Sequence, residues 1–481
     1  MNILGISCFN NNSSACLVRD GKIIVAAQEE RFSRKKYDSR FPLRAIKWCL
    51  DYSGVKLNSI NRVTCSAFDH QNYFLASAFY PSSFSEAAIL VNTTHAGFIF
   101  GKGEGNKIRK IKSKAYKPSL GLVYSELTRY LGFKKYGDEF KVMGLAAYGK
   151  PFYKDIILKY KERAPHFLKN PPRLPNSKIS QFHMDVAASL QDVVEEETLR
   201  TVEALYQSNK SDNLCLSGEM SLNCLINTRI LKQGLFKNIW IQPAGDNAGI
   251  AIGCALSAWY KNNKRNAGSG RDAMSGSLLG PAYSDQYIEN FLKRNGIAHK
   301  GLLYVDVPKI AADLIAQGKI IGWFQGRLEF GPRALGDRSI LGDSRDLSMH
   351  KKLNLDVKRR EPFRPFAPTV LWEKAGEYFE LERESPYMLF TSQVRAGKKD
   401  EIPAVVHVDG SSRVQTLKKE DNPLYYDLVN EFYKKTGCPV IINTSFNTGH
   451  EPMVLSPEGA YRCFKSSAID CLFLGRFLIE K

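Results

Sequence analysis

Residues 217–256 read SGEMSLNCLINTRILKQGLFKNIWIQPAGDNAGIAIGCAL. A turn at Gly218 opens the stretch, LNCLINTRILKQG (222–234) reads as a helix, NIWIQP (238–243) as a strand, and glycines from Gly245 onward mark a second turn. Turn, helix, strand and turn in that order predict an α/β architecture. The start of the chain agrees: ILGISCF (3–9) and ACLVRDGKIIVAAQEER (15–31) are β-favouring runs, with a turn at Arg19-Asp20-Gly21. Farther on, IIGWFQG (320–326), FAPTVLW (366–372) and CPVIINTSF (438–446) have strand character, and YYDLVNEFYKK (425–435) is helical. No internal repeat or low-complexity tract is legible.

At 481 residues the chain is too long for one core, which stops growing near ~250–300 residues, so two or three domains are expected. The clearest break is 262–277, rich in Gly, Ser, Asn and charge, read as a linker or a long surface loop. Hydrophobic residues make up 43% and charged residues 24%, which excludes a disordered or fibrous protein. No apolar run reaches the ~20 residues a membrane helix needs, and the first residues lack the basic and apolar regions of a signal peptide, so a cytoplasmic, membrane-free protein is expected. Ten scattered cysteines without paired spacing read as buried thiols.

The formal net charge is +19. Such an excess attracts polyanions without fixing a fold. Residues 102–117 hold seven basic residues against one acid, and 351–364 hold six against two. The first run reads either as a solvated hairpin or as a surface for a polyanion such as nucleic acid.

The second belongs to the most informative region, GRLEFGPRALGDRSILGD (326–343) followed by DVKRREPFRPFAP (356–368). Here Arg327, Arg333, Arg338, Arg345, Lys358, Arg359, Arg360 and Arg364 stand among glycines, prolines and aromatics rather than along an amphipathic helix. Guanidinium groups grip phosphate and carboxylate oxygens through paired hydrogen bonds, so an oxyanion pocket is the economical reading. The bland alternative is bridging of the arginines by Glu329, Asp337, Asp343 and Glu361. Arg413 in HVDGSSRVQT (407–416), and Asn443, Thr444, Ser445 and Asn447 at the end of the apolar strand in PVIINTSFNTGHEP (439–452), suit the same pocket.

These residues, with GIS (5–7), SSACLVRDGKIIVAAQEERFSRKK (13–36), ASAFYPS (76–82), GDEFKVMGLAAYGKP (137–151), GEMSLNC (218–224) and PAGDNAGIAIGCAL (243–256), resemble the ATP-dependent carbamoyltransferases of nodulation-factor and antibiotic biosynthesis. The resemblance implies an N-terminal actin-like ATPase fold over 1–265, similar to threonylcarbamoyl transferase. It also implies a C-terminal α/β domain over 266–481, similar to threonylcarbamoyl-adenylate synthase. In such enzymes carbamoyl phosphate and ATP, with Mg2+, give carbamoyl adenylate, and the carbamoyl group passes to an acceptor hydroxyl. Carried over by motif, Lys358, Arg364, Arg413 and Ser445 are the catalytic set, and Arg333, Arg338, Arg360, Asn443 and Thr444 bind substrate. Lys141, Gly144, Gly218, Asn223, Gly245 and Asp246 would bind ATP. Homodimerisation stays open.

The N-terminal half departs from that pattern. Asn11-Asn12 stand where the family has His-Asp, HQNYF (70–74) keeps His70 but has Phe74 at the second histidine, and Asn92-Thr93-Thr94-His95-Ala96 replaces Asp-Gly-x-Gly-Glu. Of the family's ligands for iron or a similar divalent metal, His70 and Asp246 remain, and Phe supplies no donor atom. Three expectations stay open: a rearranged site that adds His95, transfer without metal by a base, or an adenylate-forming partner that has lost transfer. The acceptor is unreadable. Small hydroxylated metabolites, polymer-attached hydroxyls and hydroxymethylated bases of DNA all fit.

Overall fold

The computed structural model describes residues 1–111, 118–160, 171–265, 270–449 and 451–481. Lys112, Lys114 and Lys117 of the first basic run, and part of the 262–277 loop, lie outside the described residues. The chain divides into two compact units, Met1–Glu29 with Tyr37–Ala273, and Glu30–Lys36 with Met274–Lys481.

The first unit opens with β1 (Asn2–Ser7), β2 (Ser14–Arg19) and β3 (Lys22–Gln28). Asp20 (φ 48°) and Gly21 (φ 78°) both take positive φ between β2 and β3, the backbone of a type I′ hairpin, which the Asp-Gly pair anticipates. With β4 (Arg62–Cys65) these strands form a sheet in the order β3-β2-β1-β4, where β4 lies parallel to β1 and the other pairs are antiparallel. A second sheet holds β5 (Glu86–Thr93), β6 (Gly97–Glu104), β7 (Lys107–Ile111), β8 (Asn213–Ser217) and β9 (Asn238–Ile241) in the order β7-β6-β5-β8-β9. Again two antiparallel hairpin strands flank the leading strand on one side, and parallel strands follow on the other.

The first unit is thus a duplication at the level of strand order, the actin-like arrangement. No repeat shows in the sequence because only the alternation of elements is copied, not the side chains. Helix Ile250–Tyr260 packs on β1 and β2, and helix His70–Phe79 packs on β5 and β8 and against the first helix. The crossing is close: a Cβ on Gly253 would lie 2.0 Å from the Tyr73 carbonyl oxygen. The described part of the basic run forms edge strand β7, where exposed Lys107, Arg109 and Lys110 guard against edge-to-edge pairing.

The second unit contains β10 (Lys300–Gly301), β11 (Ile321–Phe324), β12 (Arg338–Asp343), β13 (Ala367–Leu371), β14 (Thr391–Gln393), β15 (Ser411–Arg413), β16 (Gln415–Leu417), β17 (Val440–Ser445), β18 (Cys471–Leu474) and β19 (Phe477–Glu480). Among the described residues its main sheet is mixed, in the order β10-β19-β18-β11-β12-β17-β13-β16, and β14 pairs with β15 apart from it. Central β11 and β12 are wholly buried and β17 is buried over its first four residues, which explains the apolar runs of β11 and of Val440–Ile442. Both units are α/β. The ten cysteines are free thiols. Among the described residues no helix is long and apolar enough to cross a membrane.

Candidate functional site

In the second unit, Lys358 stands at the centre of a cluster of cations. Its ammonium feels Arg360, Arg364 and Lys36, and Arg360 in turn faces Arg364 and Arg413. Burial is the first cause that holds Lys358 and Arg360 well below their ordinary pKa, and the neighbouring positive charges add to it. Opposing them is Glu361, whose carboxylate lies 3.8 Å from the Arg364 guanidinium. The arrangement favours an anionic ligand.

The elements that carry the cluster are set by local chemistry. Lys358 follows a single π-helical turn, Leu353–Val357. Asn354 holds the next segment, accepting from Arg360 Nε at 2.6 Å and donating to the Arg364 carbonyl at 3.0 Å. The Arg360 guanidinium stacks over Phe366, 4.7 Å from the ring centre. Arg413 ends β15, directly after the Gly410 turn. Arg333 is half-buried in the turn after Gly331, and Thr444 is half-buried on β17.

Several residues read as ligand-binding are engaged by the protein itself. Lys358, 2% exposed, donates to the Ser445 carbonyl (2.5 Å), the Asn447 carbonyl (2.9 Å) and Asn447 Oδ1 (2.6 Å), with Ser445 Oγ at 3.3 Å. It shapes the end of β17. Arg338 is fully buried, stacked 3.7 Å over Phe324, with its terminal nitrogens on the carbonyls of Gln325, Gly326, Asp337 and Pro281. Asn443 is buried and donates to Gln415 Oε1 (2.8 Å) and Thr369 Oγ1 (3.2 Å). Arg345 is bridged to Asp343 at 2.7 Å, as the bland reading of the arginine-rich region expects. Glu329 instead gathers backbone: its Oε1 accepts from the N–H groups of Leu335, Asp337 and Arg338.

Sequence reading missed the segment Glu30–Lys36, placed with the N-terminal half because it directly follows β3. Arg34 donates to the carbonyls of Met453 (2.6 Å) and Pro452 (2.7 Å) and pairs with Glu451 (3.3 Å). Arg31 donates to the Gly331 carbonyl (2.7 Å), and Lys36 to the Gly449 carbonyl (3.2 Å). The density of basic residues in EERFSRKK was the available signal.

In the first unit, residues from the carboxyl ends of β5, β8 and β9 converge, where α/β sheets place their ligands. Gly218 (φ 93°) admits no side chain, because a Cβ would stand 2.2 Å from the Asn92 carbonyl oxygen. Gly245 is equally crowded, 2.4 Å from Ser221 Oγ. Asn223 caps helix Cys224–Gln233, accepting from the N–H groups of Leu225 (3.1 Å) and Ile226 (3.3 Å). Lys141 pairs with Asp138 at 3.0 Å, and Gly144 is buried in helix Glu139–Leu145. Sequence reading also missed Glu219 and Asn247, which lie inside quoted motifs: Asn247 Nδ2 donates to Glu219 Oε1 (3.0 Å), and His70 Nε2 meets Asn247 Oδ1 (3.2 Å).

The residues present do not fit the family's metal. Asp246 Oδ2 accepts from Asn12 Nδ2 at 2.6 Å and Oδ1 from the Ala248 N–H at 2.9 Å, so both carboxylate oxygens already face protein donors. Phe74, fully buried, sets its ring edge against His70 with centres 4.9 Å apart. His95 is exposed and reaches His70 only through its field. Among the described residues no group of three His, Cys, Asp or Glu side chains is arranged to hold an ion.

The family described as "Carbamoyltransferase N-terminus" matches residues 2–69 and 53–256, and "Carbamoyltransferase C-terminus" matches 312–481. The uncharacterized protein sll1178 of Synechocystis is 38% identical, over all of this chain and 96% of that protein. The nodulation protein NolNO of Sinorhizobium fredii is 34% identical, over 98% of this chain and 79% of its own length. Among solved structures, component A of the Acidaminococcus fermentans (R)-2-hydroxyglutaryl-CoA dehydratase is similar to 54% of this chain and 98% of its own, with TM-score 0.36 and 12% identity.

Proposed function

The chain belongs to the carbamoyltransferase family, and on that premise we propose that it is an ATP-dependent O-carbamoyltransferase. The second unit converts carbamoyl phosphate, ATP and water to carbamoyl adenylate, with inorganic phosphate leaving from carbamoyl phosphate and pyrophosphate from ATP, and the first passes the carbamoyl group to an acceptor hydroxyl, with AMP leaving. The observation that supports this most is the cation cluster of Lys36, Lys358, Arg360, Arg364 and Arg413 with Glu361 as its acidic neighbour. Joining two phosphate-bearing substrates brings negative charges together, and fixed guanidinium groups both bind them and stabilise the charge that develops on the leaving phosphate. Arg364 and Arg413 take the phosphate oxygens. Lys358 adds its field while it holds the end of β17, and Lys36 is added to the set from the segment Glu30–Lys36.

Incubation of the purified chain with ATP, Mg2+ and carbamoyl phosphate tests the reading. Pyrophosphate release that requires carbamoyl phosphate, and a gain of one carbamoyl group on a member of a panel of sugars, aminoglycosides and hydroxymethylated DNA, are expected. Neither signal from any member would overturn it.

A further inference from the structure

We infer that His70 takes the proton of the acceptor hydroxyl during carbamoyl transfer, with its tautomer fixed by Asn247 and Glu219; this rests on the transfer reading above. The chain of hydrogen bonds is directional. Glu219 Oε1 accepts from Asn247 Nδ2 at 3.0 Å and Oε2 from the Thr94 N–H at 3.1 Å. With its nitrogen on the carboxylate, Asn247 turns its oxygen to His70 Nε2 at 3.2 Å. A carbonyl oxygen only accepts, so Nε2 carries the hydrogen and Nδ1 keeps its lone pair. Among the described residues no hydrogen bond engages Nδ1. An amide that orients a histidine through one ring nitrogen, leaving the other as the base, is a recurrent arrangement in acyl transfer.

The surroundings agree with that role. Phe74 holds the ring edge-on from within the same helix, which fixes the plane in which the imidazole presents its second nitrogen. His70 begins its helix beside the carboxyl ends of β5, β8 and β9, the place where Gly218 and Gly245 let backbone approach closely. The position that holds a metal ligand elsewhere in the family here holds a base. In the step, the acceptor O–H bond breaks and its proton goes to His70 Nδ1. The oxygen bonds to the carbamoyl carbon, and the bond from that carbon to the phosphate oxygen breaks, its electron pair leaving on AMP. The proton then passes to water.

Glu219→Gln is the sharpest variant. Thr94 N–H is fixed backbone, so the glutamine oxygen turns to it and the glutamine nitrogen turns to Asn247. Asn247 must then flip, His70 Nε2 becomes an acceptor, and the proton moves to Nδ1. Ring-nitrogen NMR of the histidine-labelled full chain is expected to show the Nε2–H tautomer at His70 in the wild type and Nδ1–H in Glu219→Gln. Carbamoyl transfer per pyrophosphate released is expected to fall about 100- to 10,000-fold in His70→Ala, in the range of general-base catalysis, and to recover in part with added imidazole. An Nδ1–H wild type overturns the assignment, as does His70→Ala transfer within about threefold of wild type, or its restoration by a divalent metal instead of imidazole. A wild type that releases no pyrophosphate and carbamoylates nothing sinks the transferase reading, and the tautomer measurement still decides the hydrogen-bond chain.

Discussion

Asn12 donates its side-chain amide to Asp246 across 2.6 Å, joining residues 234 positions apart in the chain. One carboxylate oxygen is thereby occupied by a protein donor, in the region where the family resemblance implies an ion. Phe74, one helical turn after His70, completes the substitution with a ring that cannot ligate.

Phe74→His should therefore alter metal affinity. Two histidines at i and i+4 on one helix face form a chelating pair. After dialysis against Zn2+ or Co2+ the variant is expected to retain more metal than the wild type by elemental analysis. Equal content in the two would show that Phe74 is not what bars the ion.

Lys358→Ala and Arg364→Ala should fail differently. Removing the Lys358 ammonium strands the buried oxygens of Ser445 and Asn447, each unmade hydrogen bond costing about 1–3 kcal/mol, so melting temperature should fall by several degrees. Arg364 stands among the like charges of the cluster with Glu361 3.8 Å away, and its replacement should slow pyrophosphate release by about 100-fold or more. Calorimetry and a coupled pyrophosphate assay on both variants check this; normal release in Arg364→Ala would contradict it.

Asp337 makes stability depend on pH. Burial first, and then the charge of Glu329, push its carboxyl up to about 7. A carboxyl with a folded pKa above its unfolded value binds its proton more tightly in the native state. Its contribution is favourable below about pH 4, the unfolded value, and is lost as pH rises to about 7. Asp337→Asn removes that loss, so urea unfolding should find the variant gaining on the wild type by up to about 4 kcal/mol between pH 4 and 7.5. Parallel stability curves for the two proteins would refute the coupling.

Asn92 offers a fourth test. It is 5% exposed, and among the described residues neither atom of its side-chain amide has a hydrogen-bond partner. A buried amide without partners costs about 1–3 kcal/mol, and Asn92→Leu, of similar volume, should raise the melting temperature. A fall of several degrees would mean that the amide is needed where it stands.

The hairpin at Asp20-Gly21, the helix after Asn223 and the strands ending in Phe324 and Ser445 were legible because turn residues and apolar runs act locally. Distinguishing a ligand-binding side chain from a structural one was not. Arg338 and Arg364 look alike in a string of letters, yet one is ringed by backbone carbonyls and the other stands in the cation cluster with Arg360 and Lys358. That difference depends on Gln325 and Pro281 coming to the same place, which no local pattern encodes. Glu219 and Asn247 were quoted within motifs, but their meeting with His70 joins three strand ends far apart in the chain.

The passage of Glu30–Lys36 through the second unit has a topological consequence. The chain goes over, returns and goes over again, so a single cut within 262–277 does not yield two self-sufficient halves. A fragment beginning at Met274 lacks Arg31, Arg34 and Lys36 and leaves the carbonyls of Gly331, Gly449, Pro452 and Met453 without those donors. A gene split at the loop should thus give a C-terminal product that needs the N-terminal product, or a peptide spanning the missing segment, supplied in trans.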